Sequence, residues 1–195
     1  MDDAKPPFFN DLDASLSHAW RLLTRGVQDR RSGFHTPAIT TIGLDGAPSA
    51  RTVVLRHVNE TARSIRFHTD MRAPKIEELK RNPRIAALFY DFKSKLQLRV
   101  NGLATIHEPA TPLALQCWES SQEKSRVCYT QLSPPRMPLH DPHEGEIRGS
   151  TGLEHFSVVT IEVQKLEWLY LHHEGHRRAL FEWCDGQCHK QWLAP

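Results

Sequence analysis

The spacing of apolar residues predicts a helix near the start of the chain. Within residues 11–31 the apolar positions recur every three or four residues, as on one face of a helix. They are Leu12, Leu16, Trp20, Leu23 and Val27. Residues 30–33 break this pattern, and from Pro37 it becomes strand-like and rich in β-branched residues. We therefore expect an N-terminal helical extension over residues 1–35.

Most of the remaining chain is expected to form short antiparallel strands. Asp45-Gly46 lies between the apolar segments ITTIGL and APSARTVVLRHV, which predicts a hairpin that leads into one long second strand. A turn at residues 59–62 precedes the third strand, and three further strands follow from Phe156. Six to eight closely spaced strands favour a mainly β fold, a small antiparallel barrel with flanking α-helices.

Two shorter helices and one irregular segment interrupt these strands. Residues 70–82 predict a helix that is capped by Asp70 and carries Pro74 in its first turn. Thr111-Pro112 opens another helix. Residues 133–152 contain four prolines and three glycines and predict an irregular loop. A length of 195 residues suits one domain with helical additions.

Composition narrows the possible partners and the location. Apolar residues make up 39% of the chain, and no stretch approaches the ~20 apolar residues of a membrane span. The acidic start lacks the features of a secretory signal, so we expect a soluble, cytoplasmic protein. The formal charge of +2 gives no long-range attraction to nucleic acid or anionic lipid. Any anion must therefore be recognised by a few local cations.

Two arginines border the second predicted strand. Arg51 and Arg56 in RTVVLR are five residues apart, so they face opposite sides of a strand unless a bulge intervenes. An arginine beside a buried strand is costly unless it meets an anion. This segment alone is compatible with an anion site or with an arginine at a solvent-exposed rim.

Three other polar groups are candidates for ligand binding. The segment HTDMRAPK runs from a strand end into a helix start, where phosphate binds readily, and Thr69, Arg72 and Lys75 add a hydroxyl and two cations. Gln97 interrupts an alternating strand and either faces outward or serves a ligand. Of the adjacent Arg177 and Arg178, only one can face inward.

The sequence argues against a metal centre or a hydrolase. A strand over residues 177–183 would separate the histidines before it from the cysteines after it by roughly 20 Å at ~3.3 Å per residue. The chain has no paired CxxC spacing, nucleophile elbow, P-loop, dinucleotide fingerprint or HExxH motif. We expect free thiols at the four cysteines, which are Cys117, Cys128, Cys184 and Cys188.

Several segments, in their order and spacing, resemble the pyridoxamine 5′-phosphate oxidase superfamily from about residue 36 to residue 195. They are RTVVLRHV, FHTDMRAPKIEELKRNP, ALFYDF, LQLRVNGLA and the closing LEWLYL…HRRALFEW…WLAP. The likeness is greatest to an uncharacterised FMN-binding branch. It implies that residues 1–195 form one split β-barrel domain and bind FMN at the interface of a homodimer. It implies no nucleic-acid or membrane partner.

The same resemblance implies a set of flavin-binding positions but no catalytic residue. Arg51 would lie near the phosphate, the residues from Thr52 to Arg56 along the cofactor, and Lys75 on the phosphate. His68 and Thr69 would lie beside the flavin, while Gln97 and Arg178, or Arg177 in its place, would come from the partner subunit. The full set is Arg51, Thr52, Val53, Val54, Leu55, Arg56, His68, Thr69, Lys75, Gln97 and Arg178.

Some positions depart from vitamin B6 oxidases. Arg56 stands where these oxidases carry a lysine, and Ala73-Pro74 stands where they carry serine-arginine. Leu169 aligns near a position where they carry a tryptophan, and the stretch that corresponds to their arginine–x–histidine element reads HRRAL here. The resemblance therefore implies a retained FMN phosphate site and an altered substrate pocket. Four hypotheses follow: an FMN-dependent oxidoreductase of an unidentified small molecule, a true pyridoxamine or pyridoxine 5′-phosphate oxidase, a non-catalytic flavin-binding or sensing module, and a flavin-free barrel used for protein contacts.

Overall fold

The computed structural model describes residues 5–149 and 151–195. The first four residues of the predicted N-terminal extension and Ser150 of the predicted irregular segment lie outside the described residues. The helices are α1 (Leu12–Gln28), α2 (Pro74–Arg81), α3 (Pro112–Ser120) and α4 (Glu123–Arg126). The strands are β1 (Ala38–Ile42), β2 (Pro48–Thr52), β3 (His57–Asn59), β4 (Ser64–Asp70), β5 (Arg84–Asp91), β6 (Leu96–His107), β7 (Phe156–Tyr170), β8 (Arg177–Cys184) and β9 (Gln187–Leu193).

Helix α1 forms where the apolar spacing predicts it. The backbone N–H of Ala14 donates to the Asp11 carboxylate at 2.8 Å, which satisfies a donor at the helix start. Trp20 and Leu23 are buried in the core, and the other apolar positions of this face pack against it in part. None of the described helices has the length and apolar character that a membrane crossing requires.

One antiparallel sheet carries the core, in the order β2-β1-β5-β6-β7-β4-β3. Strand β7 pairs with β6 along one edge. Along its other edge, β7 pairs first with β4 and then, from Lys165 onward, with β8. Strands β4 and β8 therefore pair with successive parts of the same edge of β7, and the sheet divides between them. The buried apolar residues lie between the two parts of the sheet. This arrangement confirms the predicted mainly β split barrel with flanking helices.

The division of the sheet coincides with an irregularity between β6 and β7. The pairing register shifts at Asn101/Gly102. A Cβ at Gly102 would lie 2.0 Å from the carbonyl oxygen of Glu162, so the two backbones approach too closely for any side chain. Glycine at this position therefore permits the bulge.

The prediction of one long second strand was wrong. Strand β2 ends at Thr52, and β3 begins at His57. Between them, the N–H of Leu55 donates to the carbonyl of His35, and the N–H of Arg56 donates to the carbonyl of Arg66. The chain thus crosses from the β1 side of the sheet to β4, and the described sheet has nine strands in place of the expected six to eight.

Helix α2 begins at Pro74, four residues later than predicted, and Asp70 is not its cap. Asp70 ends β4, and its carboxylate accepts from the backbone N–H of Arg72 at 2.8 Å. The described residues of the predicted irregular segment contain a short 3₁₀ turn, Pro142–Glu146, and otherwise no helix or strand. This agrees with the loop that the prolines and glycines predict.

Candidate functional site

Arg51 and Lys75 line one cavity of about 480 Å³, here called the Lys75 cavity. It lies between β2, the first turn of α2 and the irregular segment. Its lining consists of Pro48, Ser49, Ala50, Arg51, Ala73, Pro74, Lys75, Pro135 and Arg136. Two cations predicted from separate stretches of sequence therefore meet at one place.

Buried polar groups hold Arg51 in position. Its Nη2 lies 2.8 Å from Oε2 of Glu78 and 2.5 Å from Oγ of Ser49, and Nη1 donates to the hydroxyl of Thr41. Burial alone would raise the pKa of the Glu78 carboxyl, but hydrogen bonds from Thr41 and Arg51 outweigh it and lower that pKa. Glu78 is therefore ionised at neutral pH and compensates the charge of Arg51.

Lys75 lies in the first turn of α2, directed at the end of β4. Its Nζ donates to Oγ1 of Thr69 at 2.8 Å. Burial, followed by the nearby Arg51 charge, lowers the pKa of Lys75. A cation held under these conditions gains most when an anion arrives, and the positive end of the helix dipole favours an anion at the same place.

Arg56 and His68 line a second cavity of about 320 Å³, here called the Arg56 cavity. Its described lining holds three arginines, Arg30, Arg56 and Arg66, and no carboxylate. The other lining residues are Val27, Gln28, His35, His68, Cys117, Ser120, Ser121, Gln122 and Ser125. An excess of cations beside several hydroxyls suits an anionic ligand.

His68 is neutral in this cavity. Burial, and then the charges of Arg56 and Arg66, lower the pKa of His68 to about 3. Its Nε2 and the Nε of Arg66 are buried and have no hydrogen-bond partner among the described residues. Such groups are costly unless a ligand or water satisfies them, so both mark a place where a polar ligand would be stabilised.

The segment from Thr52 to Leu55 joins the two cavities. Arg51 and Arg56 are five positions apart, a span of at most roughly 16–18 Å at ~3.3–3.6 Å per residue. Leu55 is buried in the core, whereas Val53 and Val54 are half-buried. The two arginines line different cavities, but strand alternation does not explain this because β2 ends at Thr52. None of the residues from Thr52 to Leu55 belongs to either described lining.

Gln97 and Arg178 line neither of these cavities. Gln97 pairs with Leu169 of β7, and Leu169 pairs with Arg178 of β8, so the three form one row across the sheet. Directly paired residues point to the same face, and two strand spacings separate Gln97 from Arg178 by about 10 Å. Nη2 of Arg178 lies 2.7 Å from Oε1 of Glu167.

Arg177 is held by the N-terminal segment instead. Its Nε donates to Oδ1 of Asn10 at 2.9 Å, and its guanidinium lies over the ring of Phe9, 4.3 Å from the centroid. Of the two adjacent arginines, Arg178 therefore shares the face of Gln97.

The comparisons with known proteins agree with this arrangement. The FMN-binding domain of pyridoxamine 5′-phosphate oxidases matches residues 17–108. Pyridoxine/pyridoxamine 5′-phosphate oxidase 2 of Arabidopsis thaliana is 31% identical over 188 residues, which cover 90% of this chain and 94% of the relative. The chain belongs to the pyridoxamine 5′-phosphate oxidase family. FMN is the cofactor of the matched domain, as the resemblance implied.

Other known proteins match along most of their length. The pyridoxine/pyridoxamine 5′-phosphate oxidase of Caulobacter vibrioides is 26% identical over 202 residues, 97% of this chain and 88% of the relative. An FMN-binding protein of Nostoc punctiforme, related to pyridoxamine 5′-phosphate oxidase, has a TM-score of 0.74 at 18% identity and covers 98% of this chain and 100% of its own. PhzG from Burkholderia lata has a TM-score of 0.74 at 17% identity, with 99% and 98% covered. The two structures establish the fold.

The donor set of this oxidase-family chain fits the phosphate end of FMN. A phosphate monoester carries close to two negative charges at neutral pH and accepts several hydrogen bonds. Lys75, Arg51, Arg136 and the hydroxyl of Ser49 line the cavity, beside the first turn of α2. In the Arg56 cavity, Nε2 of His68 and Nε of Arg66 are buried and have no hydrogen-bond partner among the described residues.

Several site residues were missed by sequence reasoning. Arg66 lies two positions before His68 on β4, so strand alternation could have placed both on one face. Glu78 lies three positions after Lys75 on α2, a helical spacing that also puts two residues side by side. Arg30 and Arg136 reach their cavities from the end of α1 and from the irregular loop, and no periodic pattern marks them.

The cysteines and histidines near the C-terminus form no metal centre among the described residues. All four cysteines carry free thiols. Within residues 5–149 and 151–195, no three or more potential ligands lie close enough together to hold a metal ion.

Proposed function

We propose that this chain is an FMN-dependent oxidoreductase that acts on an anionic small molecule. One observation carries the proposal: the Arg51 and Lys75 side chains converge on one cavity at the start of α2. This cavity offers a phosphate site without a glycine-rich loop, and the Thr52–Leu55 segment leads from it to a second cation-rich cavity.

In the proposed complex, the Lys75 cavity would hold the phosphate of FMN, and the Thr52–Leu55 segment would lie along the cofactor. Bound FMN would supply the redox chemistry, as the acceptor of a hydride from the substrate. Arg51 and Lys75 would bind the phosphate, and Thr69 would orient Lys75. The Arg56 cavity, at the other end of the segment, would then be open to the substrate.

The residues of the Arg56 cavity define the proposed substrate class. Arg56 and Arg66 attract and orient an anionic group, such as a phosphate or carboxylate. His68, neutral because of its lowered pKa, can donate or accept one hydrogen bond at Nε2. A positively charged substrate would be repelled by the three arginines of the lining.

We also propose that the site is completed by a second copy of the chain. Gln97 and Arg178 share a face that lies apart from both cavities, so within one chain they are not part of either lining. The outward faces of β1 and β5 expose the apolar side chains Ile42, Leu88 and Tyr90, which a partner subunit would cover. A twofold dimer would bring the Gln97 face of each chain to the flavin of the other.

A second candidate function is pyridoxamine or pyridoxine 5′-phosphate oxidation. The 31% identity to the Arabidopsis enzyme over most of both chains favours it, and a phosphate ester would suit the Arg56 cavity. Two differences from vitamin B6 oxidases favour another substrate that is also anionic. Arg56 replaces the expected lysine, and the arginine–x–histidine element is not reproduced.

The first experiment asks whether the protein binds FMN. We expect a visible flavin spectrum, and a ligand at a hundredfold excess over its Kd should add about 2.7 kcal/mol of stability. Absence of both effects would contradict the proposal and favour the flavin-free barrel.

The second experiment asks what the FMN-loaded protein oxidises. Under air it is mixed with pyridoxamine 5′-phosphate, pyridoxine 5′-phosphate or unphosphorylated pyridoxamine, and aldehyde and hydrogen peroxide are measured. Turnover of the phosphorylated compounds alone would establish the second candidate. Turnover of none of the three compounds by FMN-loaded protein would exclude the second candidate.

A further inference from the structure

The irregular segment contributes an arginine to the Lys75 cavity. Arg136 lines this cavity together with Arg51 and Lys75, although it lies 61 positions beyond Lys75 and 85 beyond Arg51 in the sequence. It forms no ion pair with any described residue of the chain. Its charge is therefore available to a ligand in the cavity.

The charge balance of the cavity shows what this arginine can do. The positive charge of Arg51 is already compensated by Glu78 at 2.8 Å. Lys75 is bonded to the neutral hydroxyl of Thr69 and forms no ion pair with a described carboxylate, although Asp70 and Glu78 act on it from a greater distance. A phosphate monoester carries −1.5 to −2 charges near neutral pH, about one more than Lys75 can balance.

Arg136 lies in a tight turn of the irregular segment. The N–H of Met137 donates to the carbonyl of Pro134, which closes a turn with Pro135 and Arg136 at its centre. Arg136 has φ of 69°, in the left-handed region that glycine or asparagine normally fills at this position of a turn. This turn holds the backbone of Arg136 at the lining of the Lys75 cavity.

A second arginine anchors the segment that carries Arg136. Arg72 donates to the carbonyl of Leu132 at 2.9 Å and to that of Gln131 at 3.0 Å. The same guanidinium is paired with Asp70 at 2.8 Å, at the end of β4. The start of the irregular segment is thereby fixed to the strand that ends at the phosphate site.

We propose that Arg136 is the second uncompensated cation of the FMN phosphate site and that it makes the site selective for FMN over riboflavin. This inference rests on the proposed FMN site. By the family resemblance an arginine would stand at the position of Pro74, and Arg136 supplies its charge from the irregular segment. Arg72 is a positioning residue for Arg136.

The test is a fluorescence titration of ligand-free protein with FMN and with riboflavin. For Arg136→Gln we expect the Kd for FMN to rise about tenfold, the size of one charge-assisted hydrogen bond, and the Kd for riboflavin to stay unchanged. Arg148→Gln removes the same charge from an exposed position of the same segment outside the cavity and should change neither. Arg72→Gln should weaken FMN binding by a smaller factor.

The outcomes separate this inference from the proposal beneath it. If the wild type binds neither flavin, or binds both equally, the phosphate site itself is wrong. If the wild type prefers FMN but Arg136→Gln retains that preference, or weakens both flavins alike, Arg136 is not a phosphate ligand. Circular dichroism of each variant verifies the fold, and an equal effect of Arg148→Gln would show only a loss of general positive charge.

Discussion

Arg51 and Glu78 form a buried ion pair, with Nη2 and Oε2 2.8 Å apart, at the wall of the Lys75 cavity. The pair joins β2 to the middle of α2 and fixes the arginine in the absence of any ligand. Loss of either partner would leave a charge at this site without its counter-ion. The ion pair that positions Arg51 at the phosphate site therefore also stabilises the fold.

Replacement of Glu78 by glutamine should destabilise the protein. The carboxylate is only 6% exposed and also accepts from Thr41, so Glu78→Gln leaves Arg51 without its counter-ion. We expect a loss of about 2 kcal/mol in the free energy of unfolding, less than for a fully buried pair because Arg51 reaches solvent. Glu77→Gln on the same helix, whose carboxylate is 63% exposed and pairs with Lys80, should cost almost nothing. Urea unfolding of both variants measures the difference, and equal losses would contradict the assigned role.

Lys75 should weaken the empty protein slightly while strengthening FMN binding. Its folded-state pKa lies below that of an unfolded lysine, so folding disfavours the charged form of this side chain. The resulting loss of stability is present at neutral pH and is relieved only as the pH rises through the lowered pKa. Lys75→Met should therefore leave the free energy of unfolding of ligand-free protein unchanged or higher.

The same variant should raise the Kd for FMN at least about tenfold, because the phosphate loses a charge-assisted hydrogen bond. Lys80→Met, on the same helix but paired with Glu77 outside the cavity, is the matched control. Flavin fluorescence measures the affinity and urea unfolding the stability. A variant that loses stability but keeps its FMN affinity would show that Lys75 has a structural role only.

Acid should destabilise the protein through His68. The pKa of His68 is lowered to about 3 in the fold, whereas an unfolded histidine titrates near 6.5. Between these values the unfolded chain binds more protons, so stability is full above pH 6.5 and falls as pH decreases toward 3. From pH 7 to pH 5 the loss due to this residue should be about 2 kcal/mol.

His68→Gln removes this titration while keeping a polar side chain. The variant should lose about 2 kcal/mol less stability than the wild type over the same pH interval, as measured by urea unfolding at pH 7, 6 and 5. His18, whose pKa is lowered to about 4 by burial and Arg21, titrates in both proteins and so cancels from the comparison. Parallel pH profiles would contradict the neutral, buried state of His68.

The sequence predicted those parts of the fold that follow from local rules. The apolar spacing located α1, and Asp45-Gly46 located the β1–β2 hairpin, in which Gly46 has φ of 85°. The break at Val53–Arg56 was missed because this segment is apolar like a strand. Its backbone bonds go to His35 and Arg66, partners that only the tertiary fold supplies.

The same distinction applies to the site. Arg51, Lys75 and Thr69 were predicted by resemblance, and the structure brings them together. Arg136 was not predicted, because a loop residue has no periodicity and its distance from Lys75 along the chain carries no information about their separation in space. The compensation of Arg51 by Glu78 likewise depends on the docking of α2 against β1 and β2.

Two defective variants should restore each other if the site is shared between subunits. Lys75→Met damages the phosphate site of its own chain, whereas Arg178→Ala damages the site that its chain completes in the partner. Each variant alone then has no intact site. After subunit exchange, half of the dimers are mixed and each mixed dimer regains one intact site, so about a quarter of all sites should bind FMN tightly.

The control uses two variants of the same cavity. Lys75→Met mixed with Arg51→Gln leaves one damaged residue in every phosphate site, so no combination of subunits can restore tight binding. Flavin fluorescence at FMN concentrations near the wild-type Kd measures the fraction of tight sites in both mixtures. Restoration only in the first mixture would assign Arg178 to the partner's flavin. If neither mixture recovers although subunits exchange, Arg178 serves its own chain or the fold alone, which its bond to Glu167 on the neighbouring strand would then explain.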